Sequence, residues 1–354
     1  MRSFLILCAA CVLGMILCAS NTLAAERTSA GMRACWSAQQ LASTPEEQRI
    51  VRNTRLRLRP DVSAFPTVRA PIPSTWRGSI RRVKLAAGLR LIALTFDLCE
   101  NENEIAGYDG AIVDVLRREG VKATFFASGH WLMTHPERAQ QLLADPLFEV
   151  GSHSFTHRNF RLLTPNAIRE DLALAGAADA FARQSLSNRA CYATVAGSPV
   201  PPLALFRFPF GTCNADSLNA VNDAGLLAIQ WDVVSADPVF ANGGDRIARV
   251  VIDRARPGSI VVMHANGRGH HTAQALPRII AELRARGFEF ATVGDLMARG
   301  DPEIATTCYE TKPGDNLRYD RLTARTSAAA SGATRTTGSG EARGEAANRS
   351  AFED

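Results

Sequence analysis

Two histidines four residues apart, in the stretch EVGSHSFTHRNF, are the first candidates for chemistry in this sequence. His153 and His157 follow an apparent strand and are separated by small polar residues. Neutral imidazole is a common ligand of divalent metals, and this pair can share one ion if the chain turns helically between them. The spacing therefore predicts part of a metal site, with two structural loop histidines as the alternative.

More polar residues follow apolar, strand-like runs elsewhere in the chain. Asp97 ends LIALTF, and His264 ends SIVVMH. Arg207 lies within LFRFPFG, and Asp237 follows LLAIQWDVV. A single Asp or His at the end of a strand is more often a cap or a structural group. Polar groups on five strands that end at one edge of a sheet are instead typical of an active site.

Seven strand-like runs position these residues and alternate with helical patterns. The runs are LIALTF (91–96), KATFFA (122–127), FEVGSH (148–153), LFRFP (205–209), LLAIQWDVV (226–234), SIVVMH (259–264) and FEFATV (288–293). The helical patterns are YDGAIVDVLRREG, TPNAIREDLALAGAADAFARQ and TAQALPRIIAELRARG. This alternation predicts an α/β fold with a mainly parallel sheet, and seven strands suit a distorted (β/α)7 barrel of the TIM type.

The composition is that of a globular protein. The chain has 354 residues, of which 46% are hydrophobic, so it is long enough for one large or two small domains with a buried core. Its formal net charge of +5 is small and the arginines are dispersed. A solvated surface is therefore favoured over a nucleic-acid partner, and no oligomeric state is predicted.

The two ends of the chain differ from its centre. Arg2, an apolar run and small residues near position 25 predict a signal peptide over residues 1–25, and hence a secreted or periplasmic protein with no stable membrane span after cleavage. An uncleaved anchor is the alternative. Residues 26–84 are expected to be an N-terminal extension, 85–300 the single catalytic domain and 301–354 a low-complexity, largely disordered tail. The segment beyond about residue 311 is expected to be dispensable.

Five cysteines lie outside the leader: Cys35, Cys99, Cys191, Cys213 and Cys308. An oxidising compartment allows two disulfides and one odd thiol. Because Cys191 and Cys213 flank the segment before RFPFG while Cys35 and Cys308 flank the domain, we expect those two pairings. Cys99 would remain a thiol, interpreted as a small buried residue rather than a nucleophile. There is no CxxC, so the sequence does not predict a cysteine zinc site.

The motifs resemble those of the polysaccharide deacetylase family, which shares the chitooligosaccharide deacetylase (NodB) homology domain and includes carbohydrate esterase family 4. The resemblance covers about residues 85–300. TFDLCE stands where the family has T-F-D-D, HSFTH matches H-S/T-x-x-H, and RFPFG matches R-x-P-x-G. WDVVSADP and VVMH supply the last two motifs. HSFTH with RFPFG, in order and correctly spaced, is a specific signal, whereas VVMH alone is not.

The resemblance implies an exported, metal-dependent hydrolase. Its substrate would be an acetylated amino-sugar glycan such as peptidoglycan, a chitin-like polymer or poly-N-acetylglucosamine, from which it would release acetate. Asp97 would be the catalytic base, held ionised and oriented by Arg207. His264 would protonate the leaving amine, and Asp237 would keep that imidazole charged and aligned.

The metal site departs from the family pattern at one position. His153 and His157 would bind the divalent ion, expected to be Zn²⁺, with Co²⁺ or Ni²⁺ as alternatives. Leu98 stands where the family has a second aspartate as the third metal ligand. The ion would then rely on the two histidines with water or another carboxylate, and Glu100 is the nearest candidate in sequence.

The substrate side of the site is expected to include two aromatic residues. Phe210, where many family members carry Tyr, would place a backbone N–H near the oxyanion, and Trp231 would contact the substrate. Pro238 replaces a usual Trp and alters one wall of the sugar groove. Two alternatives stay open: an O-acetyl-glycan esterase that uses the same site, and a catalytically silent glycan-binding member that lost its metal with the second aspartate.

Overall fold

The structure is a computed structural model that describes residues 32–65, 69–195 and 204–324. The predicted signal peptide lies outside these residues. Among the helices that are described, none has the length and apolar character needed to cross a membrane.

The secondary structure alternates between strands and helices, as the sequence predicts. The strands are β1 Val51–Arg52, β2 Ser79–Leu85, β3 Leu91–Leu98, β4 Glu104–Ile105, β5 Ala123–Ala127, β6 Phe148–Ser152, β7 Leu205–Phe206, β8 Leu227–Ile229, β9 Val233–Val234, β10 Ile260–His264, β11 Glu289–Phe290 and β12 Gly300–Ala305. The α-helices are α1 Ala38–Leu41, α2 Gly110–Glu119, α3 Gly129–Thr134, α4 Pro136–Ala144, α5 Pro165–Ser187, α6 Ala190–Val195, α7 Ala215–Asp223, α8 Gly244–Arg254, α9 Thr272–Ala285 and α10 Val293–Met297.

The main sheet is curled and almost wholly parallel. Its strand order is β12-β2-β8-β7-β6-β5-β3-β10-β9, with β11 paired to β3 and only β12 running antiparallel to its neighbour. The sheet closes because β8 and β9 belong to one extended stretch: β8 pairs with β7 and β2, and β9 pairs with β10. Each of the seven predicted runs contains a strand, and the predicted distorted (β/α)7 barrel is confirmed.

Strand β3 shows how the barrel wall divides its side chains. Leu91 and Ala93 pack in the cluster inside the barrel, whereas Ile92, Leu94 and the following even-numbered residues pack in the core beneath the helices. Successive side chains of a strand point to opposite faces, so the odd-numbered residues face the interior. Leu98 belongs to the outer set, and this fully buried side chain faces away from the barrel interior.

The helices begin and end at the signals that the sequence carries. Thr164 caps α5, since its side chain accepts a hydrogen bond from the Ala167 N–H at 3.3 Å. Gly120 follows α2 in a left-handed conformation, with φ at 60°, as expected of a C-terminal glycine. The helices therefore cover the barrel where the predicted patterns place them.

The structure moves both predicted domain boundaries. β2 lies inside the predicted N-terminal extension, yet it pairs with β8 in the main sheet. β12 lies in the predicted tail and pairs with β2 along its whole length. The main sheet thus spans Ser79 to Ala305. A hydrophobicity pattern does not reveal β2 and β12, because both strands carry charged side chains.

The predicted disulfide pairing is wrong. Cys35 is bonded to Cys191 and Cys213 to Cys308, while Cys99 is a buried free thiol, as expected. Two cysteines that flank the same segment of the sequence need not lie close together in the fold. Cys191 lies on α6, which packs beside the helical turn that carries Cys35, and residue 308 lies beside the loop that follows β7.

Residues 306–324, which we call the C-terminal strap, also contradict the predicted disordered tail. The buried Asn316 donates hydrogen bonds to the carbonyls of Gly211 and Cys308. Arg161 donates to Asp320 at 3.1 Å and to the Asn316 side chain at 2.7 Å. The strap is therefore fixed to the barrel, and residues 325–354 of the predicted tail lie outside the described residues.

Candidate active site

The carboxyl end of β3 carries a buried carboxylate with a fixed partner. The Arg207 guanidinium donates to Asp97 Oδ1 and to Thr95 Oγ1, each at 2.7 Å, and it lies 4.0 Å from the centre of the Phe126 ring. Arg207 is fully buried; burial lowers the pKa of its guanidinium, and the charge of Asp97 opposes that shift. One oxygen of Asp97 is thus held by a cation, which leaves the other for chemistry.

The HSFTH loop brings its two histidines together without a helix, contrary to the expected helical turn. β6 ends at Ser152, and the loop then uses two left-handed residues, Ser154 at φ 67° and His157 at φ 53°. The His157 N–H donates to Ser154 Oγ at 2.9 Å. The ring centres of His153 and His157 are 4.8 Å apart. Positive φ at non-glycine residues stores strain of the kind that clusters at functional sites.

The orientation of His153 is fixed from outside the loop. Its Nδ1 donates to the backbone carbonyl of Arg207 at 2.9 Å, so Nε2 is the nitrogen that faces the site, 3.7 Å from Asp97 Oδ2. Burial lowers the pKa of His153, but the charge of Asp97, together with Cys99 and the hydrogen bond to Arg207, outweighs burial, and the pKa lies above its usual value. An imidazole held through Nδ1 by a carbonyl is the usual arrangement of a metal ligand.

Helix α5 holds the middle of the loop. The Phe155 N–H donates to Asp171 Oδ1 at 2.6 Å. Asp171 is buried, and burial raises the pKa of its carboxyl to about 6. Its role cannot be read from the sequence, since an aspartate in a helical pattern carries no signal of a contact with the loop.

Cys99 lies at the centre of the site, where the sequence analysis expected only a small buried residue. Its Sγ and one nitrogen each of His153 and His157 lie within 4.8 Å of one another, and the same sulfur forms an equally tight group with Asp97 and His264. Burial raises the pKa of the thiol, but the charges of the two loop histidines and their hydrogen bonds to sulfur outweigh it, and the pKa lies well below its usual value. The period of two along β3, which puts residues 97 and 99 on one face, could have identified it.

Glu100, the expected third metal ligand, does not reach the histidine pair. Its Oε1 accepts from Thr134 Oγ1 at 2.6 Å and from His130 Nδ1 at 2.8 Å, and its Oε2 accepts from the Ala106 N–H at 2.7 Å. It is fully buried in this network on the side opposite to Cys99, following the same alternation that turns Leu98 away. This expectation is therefore corrected.

His264 and Asp237 form the second charged pair. The His264 Nδ1 donates to Asp237 Oδ1 at 3.0 Å, and its backbone N–H donates to Asp237 Oδ2 at 2.8 Å. Ser235 and Thr272 each donate to this carboxylate at 2.8 Å. Burial lowers the pKa of His264, but the charge of Asp237 and its hydrogen bond outweigh it, so the pKa lies well above its usual value. The imidazole is 17% exposed, which leaves its other nitrogen at the site.

The two predicted substrate contacts differ in position. Phe210 has φ at 58°, and its ring lies edge-on against His157, with ring centres 4.6 Å apart. Tyr319 of the C-terminal strap packs on the other side, at 5.5 Å. Trp231 is only 6% exposed and lies 5.5 Å from the Arg207 guanidinium. Trp231 therefore lies beneath the site instead of on an open groove wall.

One aromatic side chain at the rim was missed by the sequence analysis. Phe240 is 65% exposed and lies against His270, with ring centres 5.2 Å apart. The His270 N–H donates to the backbone carbonyl of Asp237 at 2.9 Å, so Phe240 and His270 lie beside the pair formed by His264 and Asp237. Phe240 thus provides an exposed apolar surface two residues after Pro238.

A divalent ion, implied by the family resemblance, fits the donor atoms that are present. Two imidazoles and a thiol converge from different elements, and His153 Nδ1 already has the carbonyl partner typical of a metal ligand. Zinc–nitrogen and zinc–sulfur distances are about 2.0–2.3 Å, so one ion can contact all three atoms after a small adjustment.

Sequence comparisons identify proteins to which this chain is similar. The profile of the polysaccharide deacetylase family matches residues 85–229. A chitooligosaccharide deacetylase of Bradyrhizobium sp. (strain ANU 289) is 31% identical over 220 residues, covering 57% of this chain and 89% of that protein. A peptidoglycan-N-acetylglucosamine deacetylase of Bacillus cereus is 28% identical over 210 residues, covering 59% of this chain and 88% of that protein.

Some solved structures are similar to this chain as well. A mutant of a CE4 family pseudoenzyme with restored enzymatic activity covers 62% of this chain and 71% of its own, at a TM-score of 0.50 and 25% identity. A peptidoglycan N-acetylglucosamine deacetylase covers 66% of this chain and 100% of its own, at a TM-score of 0.51 and 21% identity, which supports the fold alone. The chain therefore belongs to the polysaccharide deacetylase family, as a hydrolase that acts on amide bonds.

Proposed function

We propose that this protein is an exported, metal-dependent deacetylase that removes N-acetyl groups from an amino-sugar glycan. The observation that carries the proposal is the position of two charged pairs, Asp97 with Arg207 and His264 with Asp237, on either side of one cluster of metal-binding atoms. Amide hydrolysis needs a base for the attacking water and an acid for the leaving amine, and these pairs supply one of each.

Asp97 is the base in this mechanism. Its Oδ1 is held by Arg207, and its Oδ2 faces His153 and the interior of the site. Oδ2 can therefore take the proton of a water that approaches the acetyl carbonyl, while Arg207 holds the carboxylate in place.

His264 is the acid. Asp237 binds Nδ1 and the backbone N–H of the same residue, so the imidazole cannot rotate and its Nε2 is directed to the site. Nε2–H can protonate the sugar nitrogen as the carbon–nitrogen bond breaks. The hydrogen bonds from Ser235 and Thr272 hold the Asp237 carboxylate itself.

The oxyanion of the tetrahedral intermediate needs its own donors. A divalent ion bound by His153, His157 and a third ligand would polarise the acetyl carbonyl and lower the pKa of water at the site. The backbone N–H of Phe210 lies in a left-handed turn beside His157, a position from which it can donate to that oxygen. Phe240 would contact a sugar ring at the rim of the groove.

Two further observations support export and a glycan substrate. The two disulfides, Cys35–Cys191 and Cys213–Cys308, suit an oxidising compartment, and residues 1–25 have the pattern of a signal peptide. The similar proteins act, by their names, on chitooligosaccharide and on peptidoglycan N-acetylglucosamine. The proposed compartment is therefore the periplasm or the medium.

Acetate release from a panel of acetylated glycans tests this proposal. The panel contains peptidoglycan, chitin oligomers, poly-N-acetylglucosamine and acetyl-xylan, each with the zinc-loaded protein and with the chelated protein. We expect acetate from at least one N-acetylated glycan, and only with metal. Release from acetyl-xylan alone would assign the protein as an O-acetyl esterase, and binding without release from any glycan would assign it as a silent member.

A further inference from the structure

We propose that Cys99 is the third protein ligand of the metal, so that this chain holds its ion with two imidazoles and one thiolate. The inference rests on the proposed metal dependence, but it concerns the ligand set and can be tested without a substrate. It replaces Glu100, which is bound in another network, as the source of the third ligand.

The backbone of β3 explains why the ligand has moved by one position. Asp97 and Cys99 lie on the inner face, whereas Leu98 packs in the core beneath the helices. A carboxylate at position 98 would point into that core in this backbone. Within the described residues at this end of β3, Cys99 is the side chain with a ligand atom that faces both histidines.

The position of the sulfur favours coordination. Sγ of Cys99 and the nitrogens of His153 and His157 lie within 4.8 Å of one another, and they come from two separate segments, the end of β3 and the loop after β6. Convergence of soft donors from separate segments, with His153 already held by a backbone carbonyl, is the usual composition of a zinc site.

A thiolate also supplies what two neutral imidazoles lack. It carries the negative charge that offsets part of the charge of the ion, which is the contribution of the missing aspartate. It is softer than a carboxylate, so this site should prefer Zn²⁺ or Co²⁺ and discriminate against Mn²⁺ and Mg²⁺. We therefore expect a metal preference that differs from that of a site with two histidines and a carboxylate.

The same sulfur lies close to His264, which raises a different use: a thiol nucleophile activated by an imidazole that Asp237 orients. That chemistry would form an acetyl thioester on Cys99 and release the sugar amine, followed by hydrolysis of the thioester to acetate. It needs no metal. The ligand assignment is favoured because a nucleophile beside His264 needs neither of the two loop histidines, and both face the sulfur.

Cobalt substitution distinguishes these uses directly. The chelated full-length protein is titrated with Co²⁺, and its absorption spectrum is compared with those of Cys99→Ser, Cys99→Asp and Glu100→Gln. Thiolate coordination gives an intense near-ultraviolet charge-transfer band, which we expect in the wild type and in Glu100→Gln. We expect the band to be lost in both Cys99 variants, while Cys99→Asp still binds Co²⁺ through its carboxylate.

X-ray absorption of the zinc-loaded wild type needs no variant. We expect one sulfur scatterer at about 2.3 Å together with nitrogen scatterers at about 2.0 Å. The disulfides occupy the other described cysteines, so Cys99 is the free thiol that can supply this sulfur. Spectra of a first shell with only nitrogen and oxygen would overturn the proposal.

Three other results would also overturn it: a cobalt band that persists in Cys99→Ser, zinc affinity that falls in Glu100→Gln but not in Cys99→Ser, or an acetylated Cys99 peptide from chelated, fully active protein. The outcome is independent of the proposed function. A sulfur-bound metal in a protein that releases no acetate would keep the ligand assignment and reject the deacetylase.

Discussion

At the residue scale, the two acidic residues of the site hold two different partners. Asp97 binds the guanidinium of the fully buried Arg207, which fixes one oxygen of the carboxylate. Asp237 binds the partly exposed His264, which can lose its proton to a substrate. The proposed base, Asp97, and the proposed acid, His264, thus differ in their partners, although the carboxylates of Asp97 and Asp237 are both buried.

Asp97→Asn and His264→Ala should each lower kcat by about 10²–10⁴-fold, the usual contribution of a positioned base or acid. The measurement is acetate release under saturating substrate, together with a thermal melt to show that the fold persists. Asp216→Asn, an exposed position at the start of α7, is the matched control and should behave as the wild type. Wild-type turnover in either site variant would contradict the proposed roles.

The sequence identified most residues that converge at the site because each follows a strand, and parallel strands bring their carboxyl ends to one edge. It did not identify Cys99. When TFDLCE is aligned with the family motif, Leu98 stands at the position of the metal ligand. In the structure Leu98 faces the core, and Cys99 is the residue that faces the two histidines. The face of a strand to which a side chain points is set by the backbone, and a sequence motif does not describe it.

At the scale of elements, the HSFTH loop depends on α5 for its shape. Asp171 accepts the Phe155 N–H from below, midway between the two histidines. The loop itself contains two left-handed residues, Ser154 and His157. This conformation could not be predicted, because serine and histidine adopt positive φ only when surrounding contacts impose it.

Asp171 should make the stability of the fold depend on pH. Burial raises the pKa of its carboxyl from 3.8 to about 6, so the folded state holds this proton more tightly than the unfolded state. Its contribution is therefore most favourable below about pH 4, decreases as the pH rises to about 6 and is constant above it. The full span corresponds to at most about 3 kcal/mol.

Asp171→Asn removes this titration and keeps an oxygen that can accept the Phe155 N–H. We expect the free energy of unfolding of the variant, measured by urea denaturation between pH 4 and pH 7, to decrease less with pH than that of the wild type. Asp216→Asn is again the control, since its side chain is exposed. Identical pH dependence in Asp171→Asn and the wild type would show that the carboxyl does not titrate in this window.

At the scale of the whole molecule, the C-terminal strap connects the edge of the sheet to the site. β2 carries Arg81, whose guanidinium donates to the carbonyls of Tyr309 and Glu310 and lies 3.6 Å from the Tyr309 ring. The sequence SIRRVKL reads as a charged surface segment, so this strand was missed. Arg81 is in fact covered by the strap, and Arg82 pairs with Glu303 of β12. Tertiary contacts thus decide the environment of this strand, and its local pattern does not.

A chain that ends at Thr311 should be less stable and less active than one that ends at Ala324. The shorter chain loses Asn316, whose amide holds the carbonyl of Gly211, and it loses Tyr319 beside Phe210. Loss of about 2 kcal/mol from such contacts would lower Tm by about 4–8 °C. This reverses the expectation that everything beyond residue 311 is dispensable.

Calorimetry and acetate release on both truncated chains check this prediction. Tyr319→Ala in the full chain isolates the ring contact, with Tyr319→Phe as the matched control that keeps it. Equal Tm and turnover for the chains ending at 311 and 324 would mean that residues 312–324 of the strap add nothing to the barrel or the site.

The two disulfides close loops that follow one another along the chain and do not overlap, Cys35 to Cys191 and then Cys213 to Cys308. If the chain crosses a membrane from its N-terminus, Cys35 and Cys191 can pair before Cys213 and Cys308 have emerged. Each disulfide then joins the two earliest cysteines that are still unpaired, with one exception. The exception is Cys99, which emerges between Cys35 and Cys191 and competes for the same early oxidation. In the native structure Cys99 is removed from that competition, because its thiol is buried inside the barrel.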